Sequence, residues 1–337
     1  NEDRLVTNYS NGYYYNLYWS PDSKKIIYAD NTQGINLLDV SSGAIKKIDQ
    51  INHGFSHFWA LGFAVDWSFD SKWITYTKQV ANENTAIYVY HITSEKIHQL
   101  TSGYYNDANP VFDPDGKYMY FTTDRKLQAV YSDLDDTWVF PNATGIVAVP
   151  LSDSIASPLE PKNDDVEAKK EEENGEEEKG DKKKDKDKKD EKKEEKTLNI
   201  QIEGFERRMV LLPPKAGNLG NLKALSGKVL YHRIPNSGSE SKTRPIKYYD
   251  LKERKEETVI DNANMFQLSP DKSKILIRQN GKFGIIDVKP GQKIEDPIRI
   301  GELEMMVDPK LEWKQIFDEV YRTFRDFFYD PDMHQVD

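Results

Sequence analysis

Six histidines and a few aspartate pairs are the residues whose types and spacing could carry chemistry in this chain. His53 and His57 stand four apart in "NHGFSHFW", a spacing that on a helix would put two imidazoles on one face, as a metal pair needs. The stretch is rich in Gly and aromatics and meets no carboxylate before Asp66, so it reads as a connector or channel lining instead. His91 and His98 fall on outer strands as surface residues, His232 lies in a strand, and His334 follows "YDPD" (329–332). That acidic pair and "LDD" (134–136) adjoin turn signals, where Asp is favoured simply because it bonds nearby backbone. No G-x-S-x-G elbow, H-E-x-x-H, phosphate loop or dinucleotide fingerprint is present, and "GNLGNL" (217–222) lacks the strand–turn–helix setting of one. With no cysteine there is no thiol nucleophile, disulfide or Cys-bound zinc. The residues therefore assign no catalytic, cofactor-binding or metal-ligating position, and no cofactor.

The elements that would position any site form a repeat. "WSPDSKKIIY" starts at Trp19, "WSFDSKWITY" at Trp67, "FDPDGKYMYF" at Phe112 and "LSPDKSKILI" at Leu268, the first two intervals being 48 and 45 residues. Each copy gives an apolar anchor, a Ser/Asp turn that reverses the chain, a Lys and then a strand. Ile26/Tyr28, Ile74/Tyr76, Met119/Phe121 and Ile275/Ile277 alternate with the period of a half-buried strand. Further strands at 34–40, 44–49, 86–92 and 96–100 complete four short strands per repeat, the period of a propeller blade. The expected fold is all-β: a β-propeller over 1–303, with about five blades visible at 8–50, 51–101, 102–152, 198–260 and 261–303. "DRLVT" at the start aligns with "IHQLT" (97–101), the last strand of a blade, so one or two blades are expected upstream. The clusters "GYYYNLYW" (12–19) and "GFSHFWALGF" (54–63) would wedge blades together or line a central channel that touches peptides.

Charge narrows the partners. Residues 163–196 hold 16 Asp/Glu and 12 Lys, with Val166 as the one large apolar side chain. Such a tract cannot bury enough surface to offset ordering entropy, and it is expected to be a disordered charged insert spanning 157–197 at its widest. The chain carries a net charge of −10, and its Lys runs alternate with acids, which argues against nucleic-acid binding. No apolar run is long enough to span a membrane, and "NEDRLVTNYS" has no signal-peptide pattern.

The last segment, 306–337, departs from the β pattern. Asp308 suits an N-cap, Pro309 the first helical turn, and Glu312 the positive end of the dipole. Leu311, Trp313, Ile316, Phe317, Val320, Tyr321, Phe324 and Phe327/Phe328 then follow at helical spacing, up to the Asp330-Pro331 stop. So wide an apolar stripe must pack on something, and a helical domain downstream is the expected partner.

"EWKQIFDEVYRTFRDFFYDPDMHQVD" (312–337) resembles the opening of the helical core domain of tricorn proteases, the S41 group of self-compartmentalising serine peptidases. "IEGFERRMVLLPPKAGNLGNLKALSGKVLY" (202–231) and "YYDLKERKEETVI" (248–260) resemble late blades of that family's second, seven-bladed propeller. The chain departs at Gln335, where the family usually has Gly, and in the length of its insert. The resemblance implies a propeller without chemistry of its own, filtering peptide substrates on their way to an enclosed chamber. It also implies a homo-oligomer (a hexamer by family) and a cytoplasmic site, a periplasmic one being the alternative. A Ser-His pair would lie further on in the helical domain, and a nucleophilic Ser with a Glu beyond a PDZ domain. His334 is not that histidine, and no catalytic residue is carried onto this chain. The competing readings are a TolB- or WD40-like propeller serving as a protein-interaction scaffold, and the propeller of a prolyl-oligopeptidase-type enzyme.

Overall fold

A computed structural model describes residues 5–7, 12–51, 64–126, 129–132, 134–161, 197–236, 239–301, 303–330 and 332–335. The described strands form five blade sheets. The first holds β1 (Tyr14–Trp19), β2 (Lys25–Asp30), β3 (Gly34–Asp39) and β4 (Ile45–Gln50), each paired antiparallel to the next. The second repeats this with β5 (Val65–Trp67), β6 (Trp73–Gln79), β7 (Thr85–His91) and β8 (Lys96–Gln99). The third pairs β9 (Asp107–Phe112), β10 (Tyr118–Thr123), β13 (Gly145–Pro150) and β14 (Val210–Leu211), setting aside a hairpin of β11 (Val130–Ser132) and β12 (Thr137–Val139). The fourth is β15 (Asn218–Leu225), β16 (Lys228–Ile234), β17 (Ile246–Asp250) and β18 (Lys255–Ile260). The fifth is β19 (Met265–Leu268), β20 (Lys274–Gln279) and β21 (Lys282–Asp287), with a single further bridge from Phe283 to Ile298.

The turn motif works as its residue types dictate. In the first sheet Ser20 Oγ donates to Asp22 at 2.6 Å and accepts the Lys25 N–H at 2.9 Å, while Ser23 takes a left-handed backbone, φ 59°. The same geometry recurs at Ser68/Asp70/Ser71 and at Ser269/Asp271/Lys272. In the third sheet Gly116 fills the left-handed position, φ 72°, and a side chain there would press on the Phe69 ring at 2.8 Å.

The core lies between consecutive sheets. Ile27, Ile35 and Leu37 of the first pack with Trp67, Ile74 and Tyr76 of the second. Trp73, Ile87 and Val89 of the second pack with Met119, Phe121 and Val147 of the third, joined by Leu198, Ile200 and Phe205. Two further clusters join the third sheet to the fourth and the fourth to the fifth.

Three expectations are corrected. The reading that closed the third blade at 152 and opened the fourth at 198 gives way, because β14 at Val210–Leu211 pairs with β13 and belongs to the third sheet. A two-residue strand carries too little periodicity to be recognised across so long an interruption. "DRLVT" does not supply a strand in its described residues, Leu5–Thr7; Val6 instead packs on the Ile26, Tyr28 and Leu38 cluster. The helix α1 (Pro309–Phe327) ends before Asp330, at the extended residue Phe328. A proline at 331 would clash with a helical carbonyl four residues earlier, at Phe327. The charged tract 163–196, with His53 and His57, lies outside the described residues.

Candidate functional site

Antiparallel pairing sets two faces. The first strands β1, β5, β9, β15 and β19 start on one face, with the inter-blade connectors, and end on the other at the Ser/Asp turns. These five are the axial strands, each at one end of its sheet and packed beside the next sheet's first strand, as β9 is beside β5 and β15.

Three axial strands carry a bulge at an asparagine in left-handed backbone: Asn16 (φ 43°), Asn109 (φ 54°) and Asn221 (φ 53°). Asparagine tolerates this conformation better than other side chains, and a bulge leaves backbone groups out of the ladder. Asn16 and Asn109 stand three residues before the last residues of their strands, Trp19 and Phe112, and Asn221 stands four before Leu225, a spacing too irregular to mark a motif in the sequence. Asn221 Nδ2 donates to the Phe266 carbonyl on β19 at 3.2 Å, and Asn109 Nδ2 to Thr122 Oγ1 at 3.2 Å. Tyr14, Leu17 and Trp19 on β1 and Met265 on β19 are exposed beside them. Amide groups and aromatic side chains of this kind can bond and pack against an extended peptide; they cannot break one.

Side chains lock the axial strands to one another. Trp67 Nε1 donates to the Tyr18 carbonyl at 3.1 Å, joining β5 to β1, and the Asp66 carboxylate accepts the Phe112 N–H at 2.7 Å, joining β5 to β9. Burial pushes the Asp66 carboxyl above the usual carboxylate range, opposed by that bond and by Lys223 and Lys272. On the turn face the Ser/Asp turns are also tied across sheets: Asp22 N to Ser71 Oγ at 3.2 Å, Leu198 N to Asp70 at 2.8 Å, Ser226 Oγ to Asp115 at 2.6 Å, and Lys272 Nζ to the Ala224 carbonyl at 3.2 Å.

On the connector face a cleft of about 660 Å³ opens between the second and third sheets, lined by Tyr104, Tyr105, Arg125, Glu206 and Met209. Glu206 accepts the Ser102 N–H at 2.9 Å and its hydroxyl at 3.0 Å, and pairs with Arg125 at 3.1 Å. Arg125 also pairs with buried Asp107 and lies 4.7 Å over the Tyr105 ring. Its charge is spent on neighbouring carboxylates, so the cluster is a clamp between blades.

The histidines do not converge. His91 bonds Ser94 through Nδ1 at 2.8 Å and lies tilted against the Trp73 ring, and His98 lies half-buried on β8. His232 is buried against Phe266 with Nε2 unbonded, and burial lowers its pKa. Among the described residues no three His, Asp or Glu side chains form a metal cluster. In the acidic pair at 135–136, Asp135 accepts the Thr137 hydroxyl at 2.9 Å and Asp136 the Tyr131 hydroxyl at 2.7 Å. At the chain's end His334 bonds Tyr329 through Nε2 and faces Asp330 through Nδ1 at 3.0 Å. The order hydroxyl, imidazole, carboxylate is suggestive. However, Asp330 also accepts the backbone N–H groups of Asp332 and His334, at 3.0 and 3.1 Å, and so holds a left-handed turn through Met333, His334 and Gln335.

The helix α1 meets the connector face at its C-terminal end. Asp308 caps it, accepting the Lys310 N–H at 2.9 Å, as its sequence predicts. Its far end touches the first sheet, with Asn31 Nδ2 donating to the Asp326 carbonyl at 3.2 Å and Tyr13 meeting Phe327 edge-on. No residue of α1 is buried. Trp313, Phe317 and Phe324 are 66%, 72% and 57% exposed, along with Leu311, Ile316, Val320 and Tyr321.

Comparison with known proteins places these elements. Residues 1–289 match the family model described as the tricorn protease second beta propeller domain, and residues 309–337 match the tricorn protease C1 domain. The chain is 25% identical over 336 residues to tricorn protease homolog 1 of Streptomyces coelicolor, covering 94% of this chain and 30% of that one. It is 24% identical over 328 residues to the tricorn protease of Thermoplasma volcanium, covering 93% of this chain and 28% of that one. Its fold matches the crystal structure of the tricorn protease with a TM-score of 0.74 at 18% identity, over 96% of this chain and 30% of that chain. The chain thus spans about a third or less of the length of the curated relatives it matches.

Proposed function

This chain belongs to the tricorn protease family, as a second propeller running into the start of the C1 domain, and on that premise we propose that it admits peptides to a serine peptidase without cutting them itself. The observation that carries the reading is α1. Its apolar side chains stand in solvent on the connector face, and burying each of the larger ones would contribute on the order of 1.5–3 kcal/mol. A following helical domain seated on that stripe would fix the propeller over the catalytic chamber.

The selection mechanism is steric and weakly chemical. Axial strands tied sheet to sheet hold a passage at a set width, which admits an extended chain and turns away a folded one. The asparagine bulges and exposed aromatics of β1 give transient contacts that do not depend on peptide sequence. Hydrolysis would be acyl transfer of the S41 type, with a Ser nucleophile, a His base and backbone donors for the oxyanion, all supplied by residues outside this chain. The peptide substrates, homo-oligomeric assembly and cytoplasmic location expected of the family are part of the same proposal. No described helix is long and apolar enough to cross a membrane. A free-standing scaffold of the TolB or WD40 type would leave the exposed stripe of α1 without a purpose.

The test is a comparison of peptide and folded-protein hydrolysis by the full-length protein before and after narrowing the passage, with Asn221→Trp on β15. Selective loss of peptide turnover, with active-site labelling by a serine-directed phosphonate retained, is expected. Unchanged peptide turnover would count against passage through this propeller.

A further inference from the structure

The β11–β12 hairpin is not part of any blade. It leaves the connector face between β10 and β13, shortly after Arg125, which lines the cleft described above. Its strands pair Val130 with Val139, Tyr131 with Trp138 and Ser132 with Thr137, and they form a sheet of their own. Internal contacts brace it: the Tyr131 and Trp138 rings meet edge-on at 5.5 Å, the Tyr131 hydroxyl bonds Asp136, and the Asp136 N–H donates to the Ser132 carbonyl at 3.1 Å. Yet its apolar side chains are in solvent, with Leu134 96%, Trp138 63% and Val130 53% exposed. Proteins usually blunt such edges with Lys, Pro or burial, whereas 130–139 contains no Lys, Arg or Pro and three aspartates. An exposed apolar strand pair whose charged side chains are all acidic, with open edges, fits a partner that is extended, apolar in alternate positions and positively charged.

We propose that this hairpin is a capture site for extended polypeptide segments carrying basic and apolar residues, held by strand addition to the β11 or β12 edge and by stacking on Tyr131 and Trp138. The proposal rests on the reading of the propeller as a peptide-access module and names the segments it would collect first. Strands of three residues offer few ladder bonds, so capture is weak and reversible, as suits a ligand that must move on into the passage. Its place beside the cleft puts a captured segment on the face that also carries α1.

The experiment is fluorescence anisotropy of the 337-residue chain at low salt with a labelled unstructured peptide of alternating Val and Lys. A Val/Glu peptide and a Val/Lys peptide N-methylated at alternate residues serve as comparators. The Val/Lys peptide should bind at least about tenfold more tightly than either. Tyr131→Ala/Trp138→Ala should weaken it by a similar factor with an unchanged melting temperature. If that pair lowers the melting temperature, Leu134→Ser/Val139→Ser supplies the same reading from other exposed positions. Equal binding of the three peptides, or binding indifferent to both variants, would overturn the proposal. So would sedimentation showing that the hairpin joins two copies of the chain. None of these outcomes touches peptide access itself, which the hydrolysis comparison above tests separately.

Discussion

The Phe112 backbone N–H donates to the Asp66 carboxylate at 2.7 Å, so an axial strand of one blade is bonded by a side chain to the axial strand of the next. Burial raises the pKa of this carboxyl above its unfolded value. An acid raised on folding contributes stability that is fully present below the unfolded pKa and is lost as pH rises through the folded one. Asp66→Asn keeps an acceptor for Phe112 and removes the charge, so it should raise the melting temperature at neutral pH and flatten its decline from acid to neutral. Asp66→Ala orphans the N–H and should cost about 1–3 kcal/mol. Thermal melts from pH 4 to 8 distinguish the two.

Ser68 and Ser269 hold the same turn in different surroundings. Ser68 is fully buried and its hydroxyl accepts the Trp73 N–H at 2.9 Å, whereas the Lys274 N–H bonded to Ser269 at 3.0 Å is near solvent. Ser68→Ala should therefore cost about 1–3 kcal/mol and Ser269→Ala under about 1 kcal/mol, since water can replace the second hydroxyl. Urea unfolding of the two variants checks the ratio.

His232 is buried with its pKa lowered, mainly by desolvation, with Arg244 adding to the effect and a bond with Ala263 opposing it. A histidine lowered on folding contributes stability that is present above the unfolded value, about 6.5, and is lost as pH falls through the folded one. His232→Phe, packed against Phe266, should lose less stability between pH 7 and pH 5 than the unaltered chain does. Equal losses would show that another group sets the acid limb.

Both flanks of the charged tract are fastened independently of it. The Gln201 N–H donates to the Leu151 carbonyl at 2.8 Å, and Arg208 Nε donates to the Pro150 carbonyl at 3.0 Å. Replacing 163–196 by a short Gly/Ser linker should leave the melting temperature within a degree or two, because loop length changes closure entropy only slowly. A large drop in calorimetry would mean that the tract contributes to folding.

The blade repeat was legible because its signal is local. Ser20, Asp22 and the residue at 23 fix one reversal among themselves, and the anchors Trp19, Trp67, Phe112 and Leu268 repeat it. The helix start was legible for the same reason, in Asp308 and Pro309. What escaped depends on pairing across the chain. The strand at Val210–Leu211 exists only because Val147 and Ala148 are there to pair with it. The hairpin at 130–139 reads in the sequence as no more than an acidic turn, since three-residue strands show no periodicity of their own. The axial asparagines stand in the sequence three or four residues before the ends of β1, β9 and β15, but only the register shift gives that placing its meaning.

The central claim is that this chain passes peptides on and does not cut them, and peptide hydrolysis tests it most directly. Fluorogenic oligopeptides should be left intact by the 337-residue chain and cleaved by the protein expressed from its complete reading frame, with inhibition by a serine-directed phosphonate. Robust phosphonate-sensitive cleavage by the purified 337-residue chain, or none by the complete protein, would contradict it.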